Sequence, residues 1–410
     1  MTPKGMVPTG LARWQAALGA SIPFAAHLPE GLVPALLERP VAVPGSHPLD
    51  WPGKQALAVH DSAPLCAETP EALLDEAVTS AAAMFVRNNG GIPPEPADPD
   101  AWSFTVDGEV QAPLRLTVAE LAARFRVVTL QLQLECGGNG RAFHMPAARG
   151  NPWRQGAISN GAWTGVRLRD VLLAAGLKDS AAYTGHYGAD PHLSGSSQPA
   201  ISRGMRIAKA MDETTLLAFR LNGEPIPHLH GAPLRLVVPG WPGSLSQKWL
   251  TRIWVRDRPH DGPGMGGTSY RIPARPIEPG QAHDGADFVE LESMPVRSIL
   301  SSHAHGARLP AGTRTLDLRG AAWAGDLTVR RMEVSRDFGA SWQDMDFAEP
   351  ANRHAWQRWT GQVDLPADGY YEIWYRATDS EGRTQPLHAT NWNPQGYAAN
   401  PLGRSGLLIG

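Results

Sequence analysis

A chain of 410 residues, 42% hydrophobic and 19% charged, is long enough for two domains and has the make-up of a globular protein with a large core. Its 37 basic and 40 acidic side chains nearly cancel, which argues against a strong pull on nucleic acid or on a membrane surface. Two cysteines and no C-x-x-C-H exclude a c-type haem attachment, an iron–sulfur cluster or a zinc ribbon in this chain.

The 43 glycines, 37 prolines and 14 tryptophans point to a loop-rich, β-rich chain. No apolar run reaches membrane-spanning length. The first forty residues lack a twin arginine, a basic start and a clear apolar core, so they do not read as an intact signal peptide. Residues 1–79 read as an extended N-terminal arm, with short apolar patches at Ile22-Pro23-Phe24 and Leu32-Val33-Pro34. A brief helix is expected over 69–78, with Thr69 as N-cap and Pro70 in the first turn. Arg87-Asn88-Asn89-Gly90-Gly91 makes a donor-rich turn, suited to an anion or a heterocycle edge and equally to an ordinary polar turn. A strand and turn over 102–110 and a short helix over 116–124 lead to the most informative stretch.

In Leu130–Glu135 apolar and polar residues alternate, the period of a strand with one buried face. Cys136-Gly137-Gly138-Asn139-Gly140-Arg141 then breaks it, placing a lone cysteine at a strand mouth on a tight loop, with an arginine five residues on. Such a thiolate suits a soft or high-valent metal, and a buried structural cysteine fits the same pattern. A Cys66–Cys136 disulfide is also open. Residues 163–176 read as a turn and an amphipathic helix closed by glycine. His186, Asp190 and His192, among glycines and serines, read as a solvated loop rather than a metal site. Asn222-Gly223 marks a hairpin turn, Leu234–Pro239 a buried strand, and Gly240–Lys248 a glycine-punctuated loop ending in a lysine, of a kind that holds phosphates without being a Walker loop. Beyond about Met294, short strands at 314–319, 327–334 and 370–378, with hairpin turns between, imply an immunoglobulin-type β-sandwich without its disulfide.

Taken together, Val-Arg-Asn, Glu-Cys-Gly-Gly-Asn-Gly-Arg, Gly-Ala-Ile-Ser-Asn, His-Gly-Ala-Pro-Leu-Arg-Leu-Val-Val-Pro-Gly, Lys-Trp-Leu and Thr-Ser-Tyr-Arg-Ile-Pro resemble the sulfite oxidase family of molybdopterin enzymes over roughly residues 80–400. The closest likeness is to the haem-free bacterial sulfite dehydrogenases. The resemblance implies an α+β architecture: a mixed α/β molybdopterin domain over 80–290, then an immunoglobulin-like dimerisation domain over 291–410. It implies molybdenum-dependent oxidation of sulfite to sulfate by oxygen-atom transfer.

By the same resemblance, Cys136 is the one protein ligand of the metal. Arg87, Arg141, Trp153 and Tyr270 form the oxyanion pocket. Asn88, Asn89, Asp190, His230, Arg235, Ser246, Gln247 and Lys248 hold the pterin and its phosphate. No haem is expected in this chain, so electrons pass to a separate acceptor, a c-type cytochrome, and the chain is expected to be a homodimer. Location is periplasmic by resemblance, cytoplasmic if the sequence is complete. Asn89 and Gly91 stand where animal enzymes have histidines, and Gly140 replaces the first arginine of the usual pair. The alternatives are the molybdenum subunit of a sulfane dehydrogenase, a cofactor-free scaffold, and a cysteine hydrolase using His144 or His230.

Overall fold

The computed structural model describes residues 47–410. The apolar patches at 22–24 and 32–34 lie outside the described residues. The chain is β-rich, with short helices. From His47 onward the expected arm is instead a four-stranded antiparallel sheet: His47–Pro48, Ala58–Ser62, Leu65–Glu68 and Val86–Arg87. Its last pairing sets Cys66 opposite Arg87. Neither Cys66 nor Cys136 is in a disulfide; both are buried thiols.

Two sheets and two helices enclose the next core. One sheet runs Gly204–Arg206, Tyr183–Gly188, Leu250–Arg256, Ser103–Gly108, Leu114–Thr117, with the pair 250–256 and 103–108 parallel. The other runs Glu224–Pro225, Leu216–Leu221, Ile158–Arg167, Val127–Glu135, with Arg235–Val237 also paired to Leu216–Leu221. Phe104, Val106, Val171, Leu217, Leu236 and Ile253 interdigitate between them. The helix Val118–Arg124 starts at a capping box: Thr117 accepts from the Glu120 N–H and Glu120 accepts from the Thr117 N–H. The helix Leu168–Ala175 ends at Gly176, whose φ of 69° closes it in the left-handed conformation.

Two expectations are corrected here. The helix over 69–78 shrinks to a 3₁₀ turn, Glu71–Leu74. Thr69 Oγ1 donates to the Ala83 carbonyl at 2.6 Å instead of capping. The Leu74 carbonyl, which a helix over 69–78 would have paired with the Val78 N–H, accepts from Arg358 Nη1 at 3.3 Å. Tertiary donors outcompete the local helix. The turn at 163–167 is the end of the strand Ile158–Arg167, which is central and largely buried on both faces and so carries no alternation to read.

The C-terminal unit has two sheets. One holds Arg297–Leu300, Thr315–Trp323, Gln357–Asp364 and Asp346–Phe347; the other holds Ala307–Leu309, Gly403–Ile409, Gly369–Asp379, Val329–Ser335 and Gln343–Asp344. Leu316, Leu318, Trp359 and Val363 from the first meet Met332, Ile373, Tyr375 and Leu407 from the second in one core. Trp359 is thus a core residue, Trp356 is buried with Trp323 and Ile299, and Trp374 is half-buried beneath Arg404.

A buried polar joint ties this unit to the cysteine loop. Arg297, fully buried, donates to the carbonyls of Asn139 and Ala399 and to Gln155 Oε1, and its Nε lies 3.4 Å from Glu135. Glu135 also accepts from Trp323 Nε1 and Asn139 Nδ2. Removing one partner strands a buried charge. Arg297→Met is therefore expected to lower unfolding free energy by about 3–5 kcal/mol, read by urea denaturation at pH 7; a change under about 1 kcal/mol would contradict the joint.

Candidate active site

The loop after Val127–Glu135 is held rigidly. Asn139 Nδ2 donates to Glu135, its Oδ1 accepts from the Ala157 N–H, and its own N–H returns to the Cys136 carbonyl at 2.9 Å. Gly140 has φ 87°, and a Cβ there would come within 2.4 Å of Arg297 Nη1 and 2.6 Å of the Ala399 carbonyl. The arginine of the animal pattern has no room at this position.

Cys136 opens into a cavity whose wall is drawn from several separate stretches of the chain. Val86–Arg87 and the turn after it supply Arg87, Asn88 and Asn89; Asp190 follows the strand Tyr183–Gly188. The 3₁₀ turn His228–His230 supplies His230, and the buried strand Arg235–Val237 supplies Arg235. The glycine-punctuated loop supplies Ser244, Ser246, Gln247 and Lys248, and Tyr270 closes one side at φ 50°. Met84, Phe85 and Trp249 line it too.

Arg141 and Trp153 do not line this cavity. Trp153 is fully buried, edge-on to His60 at 4.8 Å and to Phe85 at 6.3 Å. Arg141 spends Nε on the Gln395 carbonyl at 2.6 Å and Nη1 on the Asn151 carbonyl at 2.8 Å. It nevertheless packs on the cysteine loop: a Cβ on Gly138 would sit 2.3 Å from Arg141 Nη2. Its guanidinium lies 5.5 Å over the Tyr397 ring, and Tyr397 stacks on Tyr270 at 5.0 Å. Arg203, buried, caps the far face of Tyr270 at 4.6 Å. Arg203 and Lys54 are isolated residues without pattern in the sequence; Ser244, within the Gly240–Lys248 loop, and Tyr397 were not named there as site residues.

Of His186, Asp190 and His192, only His192 lies on the solvated loop expected, beside Ser194; His186 and Asp190 are buried. His186 lies on a buried strand, its Nε2 2.9 Å from Thr184 Oγ1, and burial pushes its pKa down to about 3. Among the described residues no group of three His, Cys, Asp or Glu could hold a metal ion.

The electrostatics of the cavity are one-sided. Lys248 donates to Asn88 Oδ1 at 2.6 Å and to the Leu229 carbonyl at 2.7 Å. Arg235 donates to the carbonyls of His230 and Ser246, at 2.7 and 3.0 Å. Among the described residues neither has a carboxylate within ion-pair distance. Burial pushes Arg235 down to about 9, and holds Lys248 well below the usual lysine range, with Arg235 adding repulsion. Burial raises the carboxyl of Asp190, which accepts from Gln247 Nε2 at 3.2 Å. Arg87 Nη1, Asn88 Nδ2, Arg235 Nε, Ser244 Oγ and Gln247 Oε1 are buried without a hydrogen-bond partner among the described residues. Orphans of this kind are costly unless something fills them. Five unmet groups and unpaired cations around one thiol fit an anionic, heterocyclic group with a soft metal, which is the chemistry of a molybdopterin.

Burial pushes Lys54, at the rim of this cluster, down to about 7, and Lys248 shifts the same way. Both have folded pKa values below their unfolded ones, so between pH 7 and about 10 the unfolded chain binds more protons and stability rises with pH. The cofactor-free chain is expected to gain thermal stability from pH 7 to pH 9. An anion in the cavity would restore both protons and flatten that slope. Calorimetry on cofactor-free and loaded protein reads the difference; equal slopes would contradict it.

Comparison with known proteins agrees with this geometry. Residues 89–263 match the oxidoreductase molybdopterin binding domain, and residues 289–406 the Mo-co oxidoreductase dimerisation domain. The chain is 33% identical to sulfite oxidase of Gallus gallus over 374 residues, covering 88% of this chain and 80% of that one. It is 31% identical to mitochondrial sulfite oxidase of Rattus norvegicus, of whose length it spans 64%. Among solved structures, the sulfane dehydrogenase SoxCD of Paracoccus pantotrophus superposes with a TM-score of 0.71 at 25% identity, covering 95% of both chains.

Proposed function

The chain belongs to the sulfite oxidase family of molybdopterin oxidoreductases, and on that premise we propose that it oxidises sulfite to sulfate and passes two electrons to a separate acceptor of the c-type cytochrome class. The observation that carries this reading is the ring of unpaired donors and cations around the single cavity thiol, Cys136. When bound, the molybdenum cofactor supplies the oxygen atom transferred and takes up the two electrons.

The chain's own residues then have separable tasks. Cys136 offers a soft anionic sulfur at the end of a rigid strand. Burial works against the charge of Arg87, but Tyr270, Cys66 and Cys136 nearby hold its proton above the usual value. Its unpartnered Nη1 is free to fork onto a sulfite oxygen, a charge-assisted bond that also selects against neutral sulfur compounds. The Tyr270 hydroxyl is a donor on the same side. Arg141, tied to two backbone carbonyls, acts from behind the wall through Tyr397, and Trp153 fixes Phe85. Lys248, Arg235 and His230 hold a phosphate, while Asn88, Asn89, Ser246, Gln247 and Asp190 present paired donors and acceptors to a heterocycle edge. The C-terminal sandwich we read as immunoglobulin-like, joining two copies into a homodimer, with domains divided near residues 80 and 290.

The test is sulfite-dependent reduction of cytochrome c by cofactor-loaded protein. One sulfate and two reduced cytochromes per sulfite are expected. Loaded protein that leaves sulfite unchanged would overturn the assignment. The whole-length match to a sulfane dehydrogenase favours a second reading, a molybdenum subunit acting on protein-bound sulfane sulfur; it would show as turnover of such a carrier with free sulfite a poor substrate.

A further inference from the structure

Lys54 stands upstream of the residues that match the molybdopterin binding domain. It sits in the loop between His47–Pro48 and Ala58–Ser62, anchored by the Gln55 N–H on the Ala82 carbonyl and by the fully buried Leu57. Gly53, at φ 73°, turns the chain so that the half-buried lysine side chain runs inward. Its Nζ lies 2.7 Å from the Ala81 carbonyl, 2.6 Å from the Met84 carbonyl and 2.9 Å from His230 Nε2. Met84 and His230 both line the cavity.

An ammonium has three N–H donors and no acceptor. Two of them are spent on carbonyls, so the third points at the imidazole. His230 is 1% exposed; burial, then the charges of Lys54, Lys248 and Arg235, hold its pKa well below the usual histidine value, so the ring is neutral and carries a single proton. With Lys54 as ammonium, Nε2 must present its lone pair and the proton resides on Nδ1.

We propose that Lys54 is a positioning residue: its ammonium fixes His230 as the Nδ1–H tautomer and thereby makes His230 a hydrogen-bond donor to an oxygen or nitrogen acceptor of the group bound in the cavity. The identity of that group rests on the reading above; the tautomer does not. A ring nitrogen's role is set by what its other nitrogen meets, and here the partner is a cation rather than the usual carbonyl or carboxylate. A neutral Lys54 amine would do the opposite, accepting from Nε2–H and leaving Nδ1 as an acceptor. Lys54 therefore has to be read while protonated.

The experiment is long-range proton–nitrogen correlation NMR at pH 6 on the full-length, histidine-labelled, cofactor-loaded protein, with His230 assigned by its loss in His230→Gln. Wild type is expected to show protonated Nδ1 and bare Nε2. Lys54→Met is expected to lose that preference, since Nε2–H can then donate to the Ala81 carbonyl, and to retain roughly tenfold less pterin, as outer-shell partners of bound groups typically cost. Lys54→Arg, which keeps a donor, should restore the tautomer. Protonated Nε2 in wild type, or an unchanged Nδ1–H in Lys54→Met, overturns the proposal. Should Lys54→Met fail to fold, the wild-type spectrum alone decides. A wild-type chain with the expected tautomer but no pterin would defeat the cofactor reading and leave the Lys54–His230 pairing intact.

Discussion

Cys136→Ser is expected to abolish sulfite oxidation while leaving the pterin in place. The two halves of that result have different causes. A serine hydroxyl stays protonated and is a hard, weak ligand where a thiolate is soft and anionic. Outer-shell groups at metal sites typically cost 10–100-fold when removed, so loss of the one protein sulfur should cost more than about 100-fold in kcat. Retention follows from the geometry. Lys248, Arg235 and His230 gather elsewhere on the cavity wall, and none of their hydrogen bonds involves Cys136. Serine also fits the backbone, because Cys136 is held by its N–H on Ala157 and by its carbonyl under Asn139. Turnover, pterin content and the thiolate absorption band measured on one preparation separate the effects. Wild-type turnover in Cys136→Ser would contradict the ligand role.

Lys248→Met should fail in the opposite way. A buried lysine without a carboxylate partner destabilises the cofactor-free fold, since its charge is taken from water without compensation. Methionine keeps the stem and removes that cost, so the cofactor-free variant should be more stable than wild type. It also removes a charge-assisted hydrogen bond to the anion. At about 1.5–3 kcal/mol for such a bond, cofactor occupancy should fall by roughly ten- to a hundredfold at limiting supply. The Asn88 Oδ1 that Lys248 holds at 2.6 Å is freed as well, loosening the turn beside Arg87. Thermal denaturation of the cofactor-free protein and pterin content of the loaded one read the two signs. A variant less stable without cofactor and undiminished with it would make Lys248 an ordinary structural lysine.

How far the site could be read from the sequence depended on whether a residue's signal was local. Cys136 was legible because strand alternation ends in a glycine cluster at that point, and the helix Val118–Arg124 because its cap and its periodicity agree. The strand Ile158–Arg167 was half missed, since burial on both faces erases the period of two. The hairpin Ala58–Ser62 to Leu65–Glu68 was hidden in a proline- and glycine-rich stretch that reads as an arm. Arg141 shows the limit of proximity in sequence: five residues from Cys136, its guanidinium turns to the carbonyls of Asn151 and Gln395. Lys54 and Arg297 have no local signal at all. Each draws its role from partners 27 to 176 residues away, which only the folded chain brings together.

The Cys136 cavity is expected to carry one molybdenum centre. Elemental mass spectrometry on protein made in a host that synthesises the pterin cofactor tests it most directly. About one molybdenum per chain is predicted. A value near zero, with a control enzyme from the same host fully loaded, would contradict it and leave Cys136 a structural thiol in a scaffold.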